Sequence, residues 1–513
     1  MGFCNNHLVG SDQDVLIIGA GFSGIGVANS LDRAGMSDYL IVEQGDGFGG
    51  TWYWNRYPGV AVDIPSFSYQ YSYAKRTSWT RVYAPGEELR DYAEHCAKRF
   101  GLHNRVRFGT KITAATFDDE HHRWQLETDR GDVITARHVI DATGVLTQPK
   151  LPEIEGVETF AGVTMHTARW DHEQSLTGKR VAVIGTGASA VQLIPAIAPD
   201  VEHLTVFQRT PIWCLPKVDG PLPQSVRWFM TRVPGAAAAA RLVSQSVVEL
   251  IFPLAAHYHG TLRLATVFES TARKYLREQV HDAELREKLA PRYSLGCKRP
   301  GFHNEYLATF NRANVTLETD PIERITAAGV VTQSGTAYDV DVLVHATGFK
   351  VFDPGNFPKY PVTGRGELDL ARWWNENRYQ AYEGISVPGF PNYFTMFGPY
   401  GYNGSSYFNL VETQARHIVR ALRYARTNNA TLIEVTKDAN DRYFAEMLRR
   451  RGRQIFWQGS CALANSYYFD PHGDVPLRPS TTIETMWRAR RFPLADYRLE
   501  RLPVRAPADT VAA

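Results

Sequence analysis

The chain has 513 residues, 44% hydrophobic and 21% charged, and its 56 basic and 54 acidic side chains leave a net charge of +2. That length exceeds a single hydrophobic core and predicts about two to four domains. The near-neutral balance gives no electrostatic basis for a nucleic-acid or membrane partner.

Five cysteines (Cys4, Cys96, Cys214, Cys297 and Cys461) are scattered without a Cys-x-x-Cys pair. Neither a zinc or other metal site nor a redox disulfide is expected, and a reducing, cytoplasmic setting fits. The first strand is reached by Asp14, which leaves no room for a signal peptide. The most apolar run, 236–256, carries Arg241, Gln245, Glu249 and Pro253, so it reads as a buried or surface helix rather than a membrane span.

Asp14-Val15-Leu16-Ile17-Ile18 is a short apolar run ending at glycine, as expected of a strand buried on both faces. Gly19-Ala20-Gly21-Phe22-Ser23-Gly24 follows, and Ile25, Val27, Ala28 and Leu31 then repeat at helical spacing. In that order the glycines permit a tight turn, close approach to a pyrophosphate, and helix–strand contact, with the helix N-terminus facing the phosphates. A second apolar run, Tyr39 to Val42, ends at Glu43-Gln44, where a carboxylate can accept both hydroxyls of a ribose. Gly49-Gly50-Thr51-Trp52-Tyr53-Trp54 allows close packing against a flat ring, with Trp52 and Trp54 as its walls. Asp63, after the Pro58-Gly59 turn, reads in isolation as a turn or cap residue. Val139-Ile140 leads into Asp141-Ala142-Thr143-Gly144, and Pro149 and Pro152 mark a linker.

The arrangement repeats from Lys179 to Ile184 and into Gly185-Thr186-Gly187-Ala188-Ser189-Ala190, with alanine in place of the third glycine. His203 to Phe207 is the next strand, ending at Gln208-Arg209-Thr210. Arg209 stands as far past Ala190 as Glu43 stands past Gly24 (209 − 190 = 43 − 24 = 19). A carboxylate there suits a free ribose diol and repels a 2′-phosphate, whereas a guanidinium binds that phosphate bidentately. The first site therefore suits FAD and the second NADP(H).

Residues 211–291 turn helical and irregular, an insertion that either lines a substrate entrance or covers apolar surface. In Lys298-Arg299, followed by Pro300, the lysine can assist Arg209 and the arginine can point toward the flavin, although adjacent basic pairs are commonly solvated. Asp341 to Gly348 duplicates the Ala-Thr-Gly exit, with Thr347 and Gly348 at the turn. The strand within 390–399 is expected to bring Gly398 to Gly404 against the flavin, backed by a helix over 409–426. The tail after Pro493 is charged, and its last ten or so residues are expected to be disordered.

The predicted fold is α/β, with two nested Rossmann-like dinucleotide-binding domains and a helical insertion. Its FAD-binding part spans 1–150 and its NADP-binding part 151–220. The insertion follows at 221–292, the NADP-binding part resumes at 293–385, and the FAD-binding part returns, with the tail, at 386–513.

With these motifs in order, the chain resembles the type I Baeyer–Villiger monooxygenases. Phe160, Gly162, His166, Trp170 and Asp171 meet in full the family fingerprint F-x-G-x-x-x-H-x-x-x-W followed by Pro or Asp. Gly49, Gly50, Trp52, Tyr57, Pro58, Gly59 and Asp63 meet its second pattern, and Lys298-Arg299 is similar to its Lys-Arg pair. Ser466-Tyr467 departs from it, standing where many relatives carry a tryptophan in a mobile loop over NADP.

The resemblance implies that NADPH reduces FAD, that reduced FAD adds O2, and that a C4a-peroxyflavin attacks a ketone to give an ester or lactone. Arg299 would favour the peroxide anion and stabilise the charged adduct, and Asp63 would position Arg299 through a bidentate pair. His166 would hold linker geometry rather than act as a base, with Trp170 as anchor. Besides the catalytic Arg299 and Asp63, the expected cofactor-binding residues are Gly19, Gly21, Phe22, Ser23, Gly24, Glu43, Gln44, Gly50, Thr51, Trp52, Gly144 and, in a second role, Asp63 itself for FAD. For NADP they are Gly185, Thr186, Gly187, Ala188, Ser189, Arg209, Thr210, Lys298, Thr347 and Gly348. The alternative is a flavin-dependent N- or S-oxygenase, although such relatives lack the terminal Trp-Asp of the fingerprint. A disulfide reductase would need a paired cysteine motif beside FAD. No motif specifies the ketone or the oligomeric state.

Overall fold

The computed structural model describes residues 12–353 and 355–503; Cys4 and the closing residues from 504 onward lie outside that range. Asp12–Ile18 sits centrally in the first sheet, parallel to Tyr39–Val42 on one side and Val133–Asp141 on the other. Val15, Leu16, Ile17 and Ile18 are all buried, which accounts for their unbroken apolar run. Ile112–Asp118 and Arg123–Thr128 extend the sheet as antiparallel strands. Tyr393–Thr395 returns late in the chain to lie parallel to Val133–Asp141. Val362–Thr363 already pairs with Ile112–Asp118, so the chain rejoins this sheet before the expected boundary at 386. Phe357, Tyr360 and Trp374 share a core with Leu16 and Val139, and that burial brings the segment back early.

The second sheet runs Val315–Glu318, His203–Phe207, Arg180–Ile184, Val342–His345 and Val163–His166, all parallel. The fingerprint stretch thus supplies an edge strand of this sheet, with His166 opposite His345. Each sheet packs a helix after its glycine loop: Phe22–Asp32 in the first and Ala188–Ile197 in the second. The fold is α/β, with the two parallel arrangements predicted from the repeated strand–glycine pattern.

The insertion is helical, comprising Gln224–Arg232, Ala236–Glu249, Leu264–Gln279 and Ala283–Leu289 with shorter turns between them. Ala236–His257 is, among the described residues, the one helix long and apolar enough to cross a membrane by length and composition. Leu242 and Val243 are exposed while Ser244 and Val248 face inward, so this helix lies against the surface. The scattered cysteines, which no local motif pairs and which read as fitting a reducing setting, include one bridge. Cys297 and Cys461, 164 residues apart, form a disulfide with a Cα–Cα distance of 5.0 Å. Local spacing could not reveal a pair that only tertiary folding brings together. Cys96 and Cys214 are free and buried.

Candidate active site

The two glycine loops face one cavity of about 1630 Å³. That exceeds the ~300–1,000 Å³ of an ordinary small-molecule site and is large enough for two dinucleotides. The loops are built alike. Gly19 and Gly185 adopt φ values of +104° and +114°, and a Cβ on either would lie 2.8 or 2.6 Å from the carbonyl oxygen of Ala142 or Ala346. Each Ala-Thr-Gly exit therefore caps the first glycine of its own loop, a close approach that only glycine accommodates. The structure brings to this cavity every expected cofactor residue except Ser23 and Gly24. Ser23 is buried behind the loop, where its hydroxyl meets the Tyr407 hydroxyl at 2.7 Å. Gly24 packs against the Gly19 carbonyl.

At the first site, Glu43 is fixed by the amide N–H groups of Ala20 and Gly45, each donating to its carboxylate at 2.8 Å. Burial raises its carboxyl above the ordinary range despite those bonds. Gly50 lies so close to Gly21 that a Cβ on Gly50 would sit 2.9 Å from the Gly21 Cα, which leaves a bare backbone floor. Trp52 lines the cavity with its indole N–H donating to the Tyr69 hydroxyl at 3.1 Å. Such a side-chain-free floor with an acidic end fits the flavin dinucleotide.

At the second site, Arg209 and Lys298 face the same space. Burial first, and repulsion from Arg209 second, draw the Lys298 ammonium down to about 8. An anion between them would offset both effects, so the pair fits a 2′-phosphate. The Thr186 hydroxyl donates to the Thr210 carbonyl at 2.9 Å, fixing the strand end that carries Arg209. Asn465 Nδ2 donates to Thr210 Oγ1 at 2.9 Å, and Ser466, Tyr467 and Tyr468 also line the cavity. The C-terminal segment thus covers this side of the cavity without the tryptophan of many relatives.

Arg299 departs from its neighbour Lys298, and its Nε donates to Asp63 Oδ2 at 2.6 Å. This single hydrogen bond replaces the bidentate pair expected from the resemblance. The guanidinium instead lies over Phe252, with its carbon 4.8 Å from the ring centroid. Burial pushes the Asp63 carboxyl up, but Arg299 and then Lys217 more than reverse that, so it titrates below the usual carboxylate range. Burial also opposes the charge on Arg299, yet Asp63 and the Tyr402 and Tyr468 hydroxyls keep its pKa well above the ordinary arginine value. Arg299 therefore remains cationic at any working pH. Phe252 and Tyr468 escaped sequence reasoning because they come from the insertion and the C-terminal segment, and Lys217 because no motif marks it; Tyr402 falls within the Gly398–Gly404 stretch expected against the flavin, and Gly398 and Tyr402 both line the cavity.

The turn before Asp63 joins the two sheets' domains. Tyr57 donates its hydroxyl to Gln192 Oε1 at 2.9 Å, and Gln192 Nε2 donates to the Ala61 carbonyl at 2.8 Å. Gly59 has φ +80°, and a Cβ there would lie 2.6 Å from the Gln192 carbonyl oxygen. Arg169, in the fingerprint stretch, places its guanidinium 4.1 Å from the Trp54 ring centroid, which links the two family patterns. Trp170 packs against the core of the second sheet. His166 is buried and its Nδ1 accepts the Ala168 N–H at 3.0 Å. Burial, then His345 and Arg169, draw its imidazole down to about 4, so it is neutral near pH 7.

Residues 16–217 match the pyridine nucleotide-disulphide oxidoreductase family. Over 490 residues the chain is 35% identical to a Baeyer-Villiger monooxygenase of Streptomyces coelicolor, covering 95% of this chain and 92% of that protein. A Baeyer-Villiger monooxygenase of Pseudomonas aeruginosa is 34% identical over 497 residues, covering 96% and 92%. Among solved structures, cyclohexanone monooxygenase from Rhodococcus bound to NADP+ superposes with a TM-score of 0.86 at 29% identity, over 96% of this chain and 100% of that one. An oxidised steroid monooxygenase bound to NADP gives 0.85 at 30% identity, again over 96% and 100%.

Proposed function

The chain belongs to the Baeyer–Villiger monooxygenase family, and from that premise we propose which of its residues carry the reaction. It is an FAD- and NADPH-dependent enzyme that converts a ketone, O2, NADPH and a proton into an ester or lactone, NADP+ and water. The flavin, when bound, supplies a reduced ring that activates dioxygen for insertion beside the carbonyl.

Glu43 holds the ribose of FAD, and the bare backbone of Gly21 and Gly50 meets its pyrophosphate and ring. Arg209 and Lys298 hold the 2′-phosphate, the feature that separates NADPH from NADH. Arg299 is the catalytic cation: it stabilises negative charge that develops on oxygen at the reacting carbonyl. Asp63 is a positioning residue that aims Arg299 and keeps its charge in place. His166 and Trp170 hold the joint between the dinucleotide sites.

The observation that carries this assignment is the 2.6 Å Arg299–Asp63 ion pair on the wall of a cavity shared by both glycine loops. The test is an Arg299→Ala variant given NADPH, O2 and a panel of ketones. Flavin reduction by NADPH should persist while the product carrying one added oxygen disappears. Undiminished ester formation would remove Arg299 from the chemistry. An amine or sulfide oxidised in preference to every ketone would favour the heteroatom-oxygenase reading.

A further inference from the structure

Beside the central cavity lies a second pocket of about 240 Å³. The two spaces share Arg299, Tyr402, Tyr468 and Leu477, so these four residues stand at the boundary between them, termed the doorway. Behind the doorway the walls are hydrocarbon: Ile251, Phe252, Ala256 and Phe268 come from the insertion, and Phe302 and Phe456 complete them. Arg299 is the one charged side chain among the described lining residues.

Behind Arg299, Tyr402 and Tyr468, the polar side chains of the lining are committed to the protein: the Thr271 hydroxyl donates to the Val267 carbonyl at 3.2 Å. His257 is bonded at Nε2 to the Asn403 carbonyl at 2.8 Å and at Nδ1 to Gln454 Nε2 at 2.9 Å. Asn403 Nδ2 donates to the Ser480 carbonyl at 3.2 Å, and its Oδ1 accepts the Ser405 N–H at 3.1 Å.

Phe252 owes its position to a break in the insertion's long helix. Pro253 has no N–H to donate, and the helix widens there into a π turn, Leu250–Leu254. The Phe252 ring lies under the Arg299 guanidinium and edge-on to Phe302, with centroids 6.1 Å apart. One side chain therefore both walls the pocket and supports the catalytic cation.

We propose that this pocket receives the body of the ketone, with the carbonyl turned to Arg299 at the doorway, and that Phe252 limits its reach. This rests on the chain being a Baeyer–Villiger monooxygenase. The substrate class is then an uncharged ketone that is otherwise hydrocarbon, because a second polar group inside would lose its water without gaining a partner. Its size follows from the volume. An apolar cavity of ~150 Å³ holds benzene, so this pocket accepts a body of roughly ten carbons and excludes a four-ring skeleton.

The test compares wild type, Ala256→Phe, Phe252→Ala and Phe252→Leu, each confirmed as folded by its flavin content. The ketones are cyclohexanone, benzylacetone, progesterone and levulinate, followed by product mass under turnover and by titration calorimetry on the oxidised holoenzyme. Wild type should prefer benzylacetone and bind levulinate and progesterone poorly. Ala256→Phe should weaken benzylacetone binding by about tenfold or more. Phe252→Ala should raise the kcat/KM ratio of progesterone to benzylacetone by about tenfold, with Phe252→Leu falling between.

Wild type that oxygenates ketones, paired with variants that leave benzylacetone Kd and the progesterone ratio unchanged, overturns the pocket assignment alone. So does wild-type turnover of levulinate or progesterone that equals benzylacetone. Wild type that forms no ester from any of the four, while oxidising amines or sulfides, overturns the family reading beneath it.

Discussion

Replacing Asp63 with alanine removes the counter-charge of Arg299 from the wall where both glycine loops meet. At the observed 2.6 Å separation, an effective dielectric of ~20 gives an attraction of about 6 kcal/mol. Breaking a buried pair costs about 3–5 kcal/mol, because one charge stays behind without its partner. The Arg299 and Asp63 side chains are 15% and 29% exposed, so residual solvent places the effect near the lower end, about 3 kcal/mol. If that is lost from the oxygenation transition state, ester formation falls by roughly a hundredfold. Hydride transfer from NADPH does not use the pair and should change little. Rapid-mixing reduction of the bound flavin under anaerobic conditions, alongside product yield per NADPH in air, separates the two steps. Asp63→Asn keeps an oxygen acceptor without the charge and should fall between alanine and wild type. Ester formation within about threefold of wild type in the alanine variant would refute the positioning role, since that is under 1 kcal/mol.

The same pair sets a pH dependence. The folded Asp63 carboxyl lies below its unfolded value, so its contribution to stability is complete above about pH 4 and is lost as pH falls through the depressed folded value. Asp63→Asn should therefore show a flatter acid limb in melting temperature below about pH 4, and an unchanged limb would contradict the shift.

The other variants probe the joints around this pair. Arg209→Ala should raise KM for NADPH by at least tenfold, the scale of one lost phosphate contact of about 1.4 kcal/mol or more, while KM for NADH barely moves; an equal rise in both would show that Arg209 does not read the phosphate. Gly59→Ala combines a left-handed backbone position with a Cβ 2.6 Å from the Gln192 carbonyl, and should destabilise by about 1–3 kcal/mol in denaturant titration; a wild-type midpoint would mean that the turn can shift freely. Cys461→Ser opens a closure of 164 residues and should lower unfolding free energy by at most about 5 kcal/mol. Reductant should bring wild type to the same melting temperature, and a wild type indifferent to reductant would show that the bridge is not formed. His166→Ala should lower ester yield per NADPH through a looser joint; intact yield with a displaced acid limb in the rate profile would instead indicate proton transfer.

Much of the molecule is legible in its sequence. Val15 to Ile18 in the first sheet and their counterparts Val181 to Ile184 in the second are buried, so their apolar runs are continuous and end at glycines that the turn requires. Glu43 and Arg209 stand at equal spacing past the two loops, and opposite charge at one structural position is the signal on which we assign FAD to the first site and NADPH to the second. These signals are local, carried by residues within one strand–helix–strand unit.

What only the tertiary structure decided lies between distant segments. Spacing alone gives Asp63 the bland reading of a turn residue, and only the family resemblance pairs it with Arg299, as a bidentate contact that the structure replaces with a single Nε bond. Its partnership with Arg299, 236 positions away, exists because the Tyr57 to Ala61 turn docks on Gln192 of the second sheet's helix. The Arg299 guanidinium, bonded to Asp63 through Nε alone, lies over Phe252, and Phe252 arrives through a π turn that no local pattern announces. The Cys297–Cys461 bridge and the early return of Val362–Thr363 to the first sheet have the same origin. Short-range periodicity specifies which elements form; which side chains meet depends on how those elements pack, and at Arg299 that packing sets both the charge and the doorway.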